Sequence, residues 1–91
     1  MYMYLAKVVG VVVATTKNEN LIGKKILIVE AINTDYTPLG TREIAIDSVG
    51  AGNGEIVLVS SGSAASKVFD EVNTPIDRAI VAIIDNIEVN D

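Results

Sequence analysis

The chain has 91 residues, 49% of them hydrophobic and only 4% aromatic, with a net charge of −5 and neither Cys nor His. Without those two residue types, zinc sites of the usual kind, thiol catalysis, Ser-His-Asp triads and His-ligated haem each lose an essential member, and acid-base chemistry would rest on carboxylates, Lys or Tyr. A chain this short buries only about 60–65% of the surface its unfolded form exposes, so a mean hydropathy of +0.41 leaves apolar surface for a partner to cover.

The longest apolar stretch, Val8 to Ala14 with Gly10 inside it, is far below the ~18 residues that span a bilayer. The composition therefore predicts one domain, residues 1–91, that oligomerises rather than inserts in a membrane. Its acidic balance repels phosphate backbones and anionic lipid, so neither nucleic acid nor a membrane is expected as a partner. The N-terminus has no basic segment ahead of a separate apolar core and reads as the start of a strand in a cytoplasmic protein.

Thirteen Val, twelve Ile and six Thr make 31 β-branched residues, which lose rotamer freedom in a helix and pack well on a pleated sheet. Five strands are expected in chain order. The first runs from Tyr2 to Thr16 and the second from Lys25 to Asn33, both apolar on two faces. The third, Arg42 to Val49, alternates, with Ile44 and Ile46 pointing one way and Ala45 and Asp47 the other. Glu55 to Ser61 and Arg78 to Asp85 complete the set, and Glu88 with Val89 could continue the last after a turn. Polar residues Lys17 to Asn20, the Thr37-Pro38-Leu39-Gly40 segment and the glycines from Gly50 to Gly54 read as the connections. Ser61-Gly62-Ser63 is a cap for one short helix through Ala64 to Phe69. The pattern predicts a mostly β fold: a small five-stranded OB-like barrel with one short helix and a possible extra C-terminal strand.

The densest local signal is Gly50-Ala51-Gly52-Asn53-Gly54-Glu55. Alternate glycines permit positive φ and close backbone approach, and successive N–H groups in such a loop can hold an anion. A dinucleotide fingerprint needs those glycines between a strand and a helix, whereas here they lead into the strand Ile56-Val57-Leu58-Val59. A tight crossing between strands and a close approach between subunits both fit. Asp47 reads as a structural acid tying the loop down, in preference to a catalytic carboxylate, and an acid pair of Asp47 with Glu55 rests on sequence proximity alone. Lys24-Lys25 and Asp77-Arg78 read as solvated strand ends. The scattered Tyr2, Tyr4, Tyr36 and Phe69 do not form the stacking platform with which OB folds hold single strands. An OB-type binding module for an oligonucleotide or small anion remains the alternative.

Several segments together are similar to one family. Val9-Gly10-Val11-Val12, Thr16-Lys17, Leu21-Ile22-Gly23-Lys24-Lys25-Ile26-Leu27, Ala45-Ile46-Asp47-Ser48-Val49 running into the glycine loop, Val57-Leu58-Val59, Gly62-Ser63-Ala64-Ala65 and Pro75-Ile76-Asp77 resemble the EutN/CcmL proteins, the pentameric vertex components of bacterial microcompartment shells. The resemblance covers nearly the whole chain and is most specific at Asp47-x-x-Gly-Ala-Gly-x-Gly-Glu55. It implies a non-enzymatic, cofactor-free and metal-free shell protein that forms homopentamers, meets hexameric shell proteins and leaves a narrow opening on the five-fold axis. It further implies that Gly50, Ala51, Gly52, Asn53, Gly54 and Glu55 sit at subunit contacts or near that axis, and that Thr16, Lys17, Asp47, Gly62 and Ser63 are structural members of the family motif. Where the family commonly carries Arg after Gly-Ser-x-Ala, this chain has Ser66 followed by Lys67.

Overall fold

The computed structural model describes residues 2–15, 19–62 and 77–90. Five strands, β1 (Tyr2–Val12), β2 (Lys25–Ile32), β3 (Pro38–Asp47), β4 (Ile56–Ser61) and β5 (Arg78–Ile83), close into a barrel in the order β1-β2-β3-β5-β4. All neighbours are antiparallel except β3 and β5, whose parallel ladder joins only Ile46 to Ala79 and Asp47 to Ile80. This is the OB-like closure expected from the strand count. The helix expected over Ala64 to Phe69 lies outside the described residues, as do Ser63, Thr16 and Lys17.

Several boundaries differ from expectation, each for a local reason. The first strand stops at Val12, paired with Ile26; Val13 is 91% exposed and its apolar character marks surface. A register shift between Val8 and Gly10 inserts Val9 as a bulge residue, which is why the Val8-Val9 run does not alternate. The third strand starts at Pro38, opposite Ile32, and not at Arg42. Proline, which donates nothing, is tolerated at a strand's first residue. The reversal falls instead on residues 33–37, where Tyr36 takes a φ of 72° and Asp35 accepts from the Thr37 hydroxyl at 2.6 Å and its N–H at 3.1 Å. Those bonds hold the Asp35 carboxyl below its ordinary pKa. Residues 19–21, expected as loop, form one turn of 3-10 helix. Glu88 and Val89 do not continue β5 as a strand within the described chain.

Alternation divides the barrel wall into two apolar faces. Inside lie Ala6, Val8, Leu27, Val29, Ala45, Val57, Val59 and Ile80, with Tyr4 and Ile83 packed against them. Outside, Ile46 and Ala79 form a second buried cluster with Leu21, Ile26 and Val81. Ile44 on the same outer face is 57% exposed, and Val11, Ile22, Leu39 and Val89 are each more than half exposed. The apolar excess seen in the composition thus lies partly on the barrel's outer surface.

Inward-facing positions turn charged at the barrel's two ends. At one end Lys25 and Asp47 pair at 3.8 Å. At the other, Arg78 pairs with Glu43 beneath the Tyr4 ring, and contacts Asp77 at 3.4 Å as well. The Tyr4 hydroxyl is buried beside the Arg78 guanidinium. Burial raises its pKa above the usual 10.0; the Glu43 carboxylate adds to the rise and the Arg78 guanidinium opposes it. A raised folded-state pKa contributes stability that is present below the unfolded pKa and is lost as pH rises through the folded one. Tyr4→Phe removes a buried hydroxyl whose neighbouring donor, Arg78, is already paired with Glu43, so it is expected to change stability by no more than about 1 kcal/mol at neutral pH. It should also flatten the loss of stability above pH ~10. Thermal melts at neutral and alkaline pH check both parts, and a marked destabilisation at neutral pH would show that the hydroxyl is satisfied.

Candidate functional site

The glycine loop, residues 50–55, seals the Lys25/Asp47 end of the barrel. Ala51 is fully buried and joins the inner core, so the loop inserts a methyl plug between the strand ends. Glycine is required on both sides of it: Gly50 has a φ of 81° and Gly54 one of 88°, a region costly to any residue with a Cβ. Asp47, the last residue of β3, holds the plug in place. Its side chain is 4% exposed and accepts from the N–H groups of Val49 at 3.2 Å, Gly50 at 2.9 Å and Ala51 at 3.0 Å. Lys25, expected to be a solvated strand end, reaches in to donate to the Ala51 carbonyl at 2.5 Å. Arg78, expected to be solvated with Asp77, also turns inward to Glu43. The period-two parity that places Lys25 with Leu27, and Arg78 with Ile80, is the sequence signal for both.

All but one of the remaining loop donors are used as well. Gly52 N–H donates to the Glu55 carboxylate at 2.5 Å, Gly54 N–H to the Val8 carbonyl at 2.8 Å, Glu55 N–H to the Gly52 carbonyl at 3.2 Å and Ser48 N–H to the Ile80 carbonyl at 3.3 Å. From Ser48 to Glu55, only the Asn53 N–H lacks an acceptor among the described residues. An anion-binding concavity needs several convergent free N–H groups, and here the loop's own Asp47 and Glu55 carboxylates occupy that role. The small-anion alternative loses its donor set. An Asp47–Glu55 acid pair loses its free acids by the same contacts. Gly62, also in the family motif, ends β4 with a φ of 89° and donates to the Asp77 carbonyl at 2.8 Å.

An open groove of about 530 Å³ lies on the outer face, floored by Leu21, Ile26, Ile44 and Ile46 and rimmed by Arg42, Glu43, Asp77 and Arg78. Its charged groups are already paired, Arg42 with Glu30 at 3.3 Å and Arg78 with Glu43 and Asp77. Among the described residues no three carboxylates gather as a metal site, and no helix is long and apolar enough to cross a membrane. The features that stand out are a sealed barrel, a rigid loop and apolar outer surface.

Comparison with known proteins agrees with that picture. The family model described as ethanolamine utilisation protein EutN/carboxysome matches residues 3–85. The chain is 48% identical over 86 residues to the bacterial microcompartment shell vertex protein GrpN of Rhodospirillum rubrum, covering 94% of this chain and 97% of that one. It is 48% identical over 89 residues to the shell vertex protein PduN of Salmonella typhimurium, with 93% and 98% covered. The solved structure of the GrpN pentameric microcompartment shell protein superposes with a TM-score of 0.87 at 46% identity, over 96% of this chain and 99% of that one. The pentameric shell protein MSM0273 from the RMM microcompartment gives 0.81 at 36% identity, over 97% and 96%. A match along the whole barrel, including β1 and the glycine loop, places this chain in the EutN/CcmL family of microcompartment and carboxysome shell proteins.

Proposed function

We propose that this protein is a structural subunit, not an enzyme, that forms a cyclic homopentamer and caps vertices of a bacterial microcompartment shell in the cytoplasm. The observation that carries the reading is full-length similarity, 46% identical at a TM-score of 0.87, to a pentameric shell protein. The surface is compatible with that reading: Ile44, Val11, Ile22 and Val89 stay more than half exposed and are available to a neighbouring copy. A five-fold ring forms through heterologous contacts, in which one patch meets a different patch on the next copy. A flat sheet of hexagonal tiles closes only where five-fold units replace six-fold ones, so the partners on this reading are hexameric shell proteins. Native mass spectrometry of the full chain at micromolar concentration tests it. A pentamer is expected, and a monomer, dimer or hexamer would sink the proposal.

In the same reading the loop of Gly50, Ala51, Gly52, Asn53, Gly54 and Glu55 lies at subunit contacts or close to the axis. Gly52 is the informative position. Its φ lies outside the left-handed region, and a Cβ there would meet only the Glu55 Oε1 atom, at 3.3 Å, the far end of a flexible side chain. Gly52→Arg is therefore expected to give a folded protomer, with an unchanged far-ultraviolet circular dichroism spectrum, that either no longer closes into rings or carries its arginines into the axial opening. Unaltered pentamers in light scattering would remove the loop from the contact surface.

A further inference from the structure

After β5 the chain continues as Asn86-Ile87-Glu88-Val89-Asn90, apolar and polar residues in alternation. The last backbone hydrogen bond of this region runs from the Ile84 N–H to the Ile56 carbonyl at 2.8 Å. Beyond it residues 85–90 have no ladder and no hydrogen bond among the described residues. Ile87 is half-buried while Val89 is 58% exposed. A strand pattern without a strand partner is a donor in search of an edge.

The barrel supplies such an edge. Tyr2 to Lys7 of β1 are paired with β4 on one side, but the ladder with β2 begins only at Ala6. On the β2 side, residues 2–5 have no ladder among the described residues, and Tyr2 and Met3 are 61% and 50% exposed. Unpaired strand edges of this kind accept another strand. Donor and acceptor lie at opposite ends of one barrel: Ile83 stands beside Val57, itself opposite Ala6, whereas Arg78 stands beside Ser61, itself opposite Tyr2. Five extended residues reach about 17 Å, enough to run along the edge of an adjacent copy.

We infer that residues 86–90 add as a β-strand to the residue 2–5 edge of β1 on the next copy in the ring. Main-chain hydrogen bonds supply the attachment, and Ile87 and Val89, which share one face of the added strand, pack beside Met3 and Leu5. Donor and acceptor are different patches of one chain, as the heterologous contacts of a ring require. The occupant is a second copy because the solved relative at 46% identity is pentameric, so the inference rests on the proposed pentamer.

Two experiments on the whole chain separate the two claims. Since the protein contains no cysteine, Met3→Cys combined with Val89→Cys introduces the only thiols, with Leu5→Cys in place of Met3→Cys to allow for register. Oxidation is expected to give a ladder of covalent oligomers up to five copies on a non-reducing gel. A cross-link confined to one chain, or none in either variant, overturns the inference. Deleting residues 86–91 is expected to leave a folded protomer by circular dichroism and to raise the concentration for half-assembly more than about tenfold, since several interstrand hydrogen bonds are lost. Pentamers at the same concentration as the full chain would overturn the inference and leave the pentamer standing. A full chain that forms no pentamer would overturn the reading on which it rests.

Discussion

Asp47→Ala is expected to destabilise the protein by about 3 kcal/mol, because one side chain satisfies three backbone donors at the end of the barrel. The contributions are unequal. Val49 and Gly50 are exposed, so water can replace the carboxylate at their N–H groups, whereas Ala51 is fully buried and its N–H would be left without an acceptor. Lys25 also loses its partner at 3.8 Å, a minor term for a side chain 45% exposed. The larger consequence is mechanical: with its tether gone, the loop no longer holds the Ala51 methyl in the core. Asp47→Asn should fall between the wild type and Asp47→Ala, since one oxygen remains but the amide turns donors toward donors. Urea unfolding at fixed protein concentration measures the change, fixed because ring assembly adds to apparent stability. A loss below about 1 kcal/mol would show that the loop holds its shape without the acid.

Ile80→Ala is expected to cost about 3–4 kcal/mol, in the range typical of a buried large-to-small change that leaves a cavity. Ile80 is fully buried in the inner core, and its position in the topology leaves little compensation. The backbone ladder between β5 and β3 has two residue pairs only, one of them Asp47 with Ile80. The Ile80 carbonyl also accepts from the Ser48 hydroxyl at 2.6 Å. A side chain lost here opens the core beside the weakest seam of the barrel. Against a typical domain stability of about 5–15 kcal/mol, the variant should unfold at a much lower urea concentration. Ile44→Ala is the control: at 57% exposure it should change protomer stability by under about 1 kcal/mol. Equal losses for the two would mean that the outer face is as well covered as the core.

Most of the fold was legible because its strands are written in β-branched runs. Strands β2, β4 and β5 sit within a residue or two of expectation, where Ile26 to Val29, Ile56 to Val59 and Ala79 to Ile83 leave little choice of conformation. What sequence could not show was the bulge at Val9, which needs a partner strand to define it. The beginning of β3 was hidden by Pro38 and Gly40, residues that also serve turns. The reversal belongs to residues 33–37, where the side chain of Asp35 and the left-handed Tyr36 make the turn.

The candidate site divides in the same way. A short acid just ahead of a glycine-rich stretch is readable as a loop tether, since its reach is local. The polar cap of Tyr4, Glu43 and Arg78 is not, because those residues come from three strands far apart in the chain. Lys25 and Arg78 looked solvated because charge alone carries no direction. Only the pleat, counted from Leu27 and Ile80, turns them inward.

The order in which the staves of this barrel meet has a kinetic meaning. Strands β1, β2 and β3 form a meander of sequence neighbours, and β2 and β3 pair across a short turn. By contrast Tyr2 must find Ser61, and Asp47 must find Ile80, contacts whose loop-closure entropy makes them slow. Contact order therefore predicts that the meander forms before the β3–β5 seam within a single chain. The donor segment follows β5 directly, so it is positioned only after that seam is made. In that order a step internal to one molecule precedes strand donation between molecules, and the rate at which rings appear is expected to reach a ceiling that more protein does not raise.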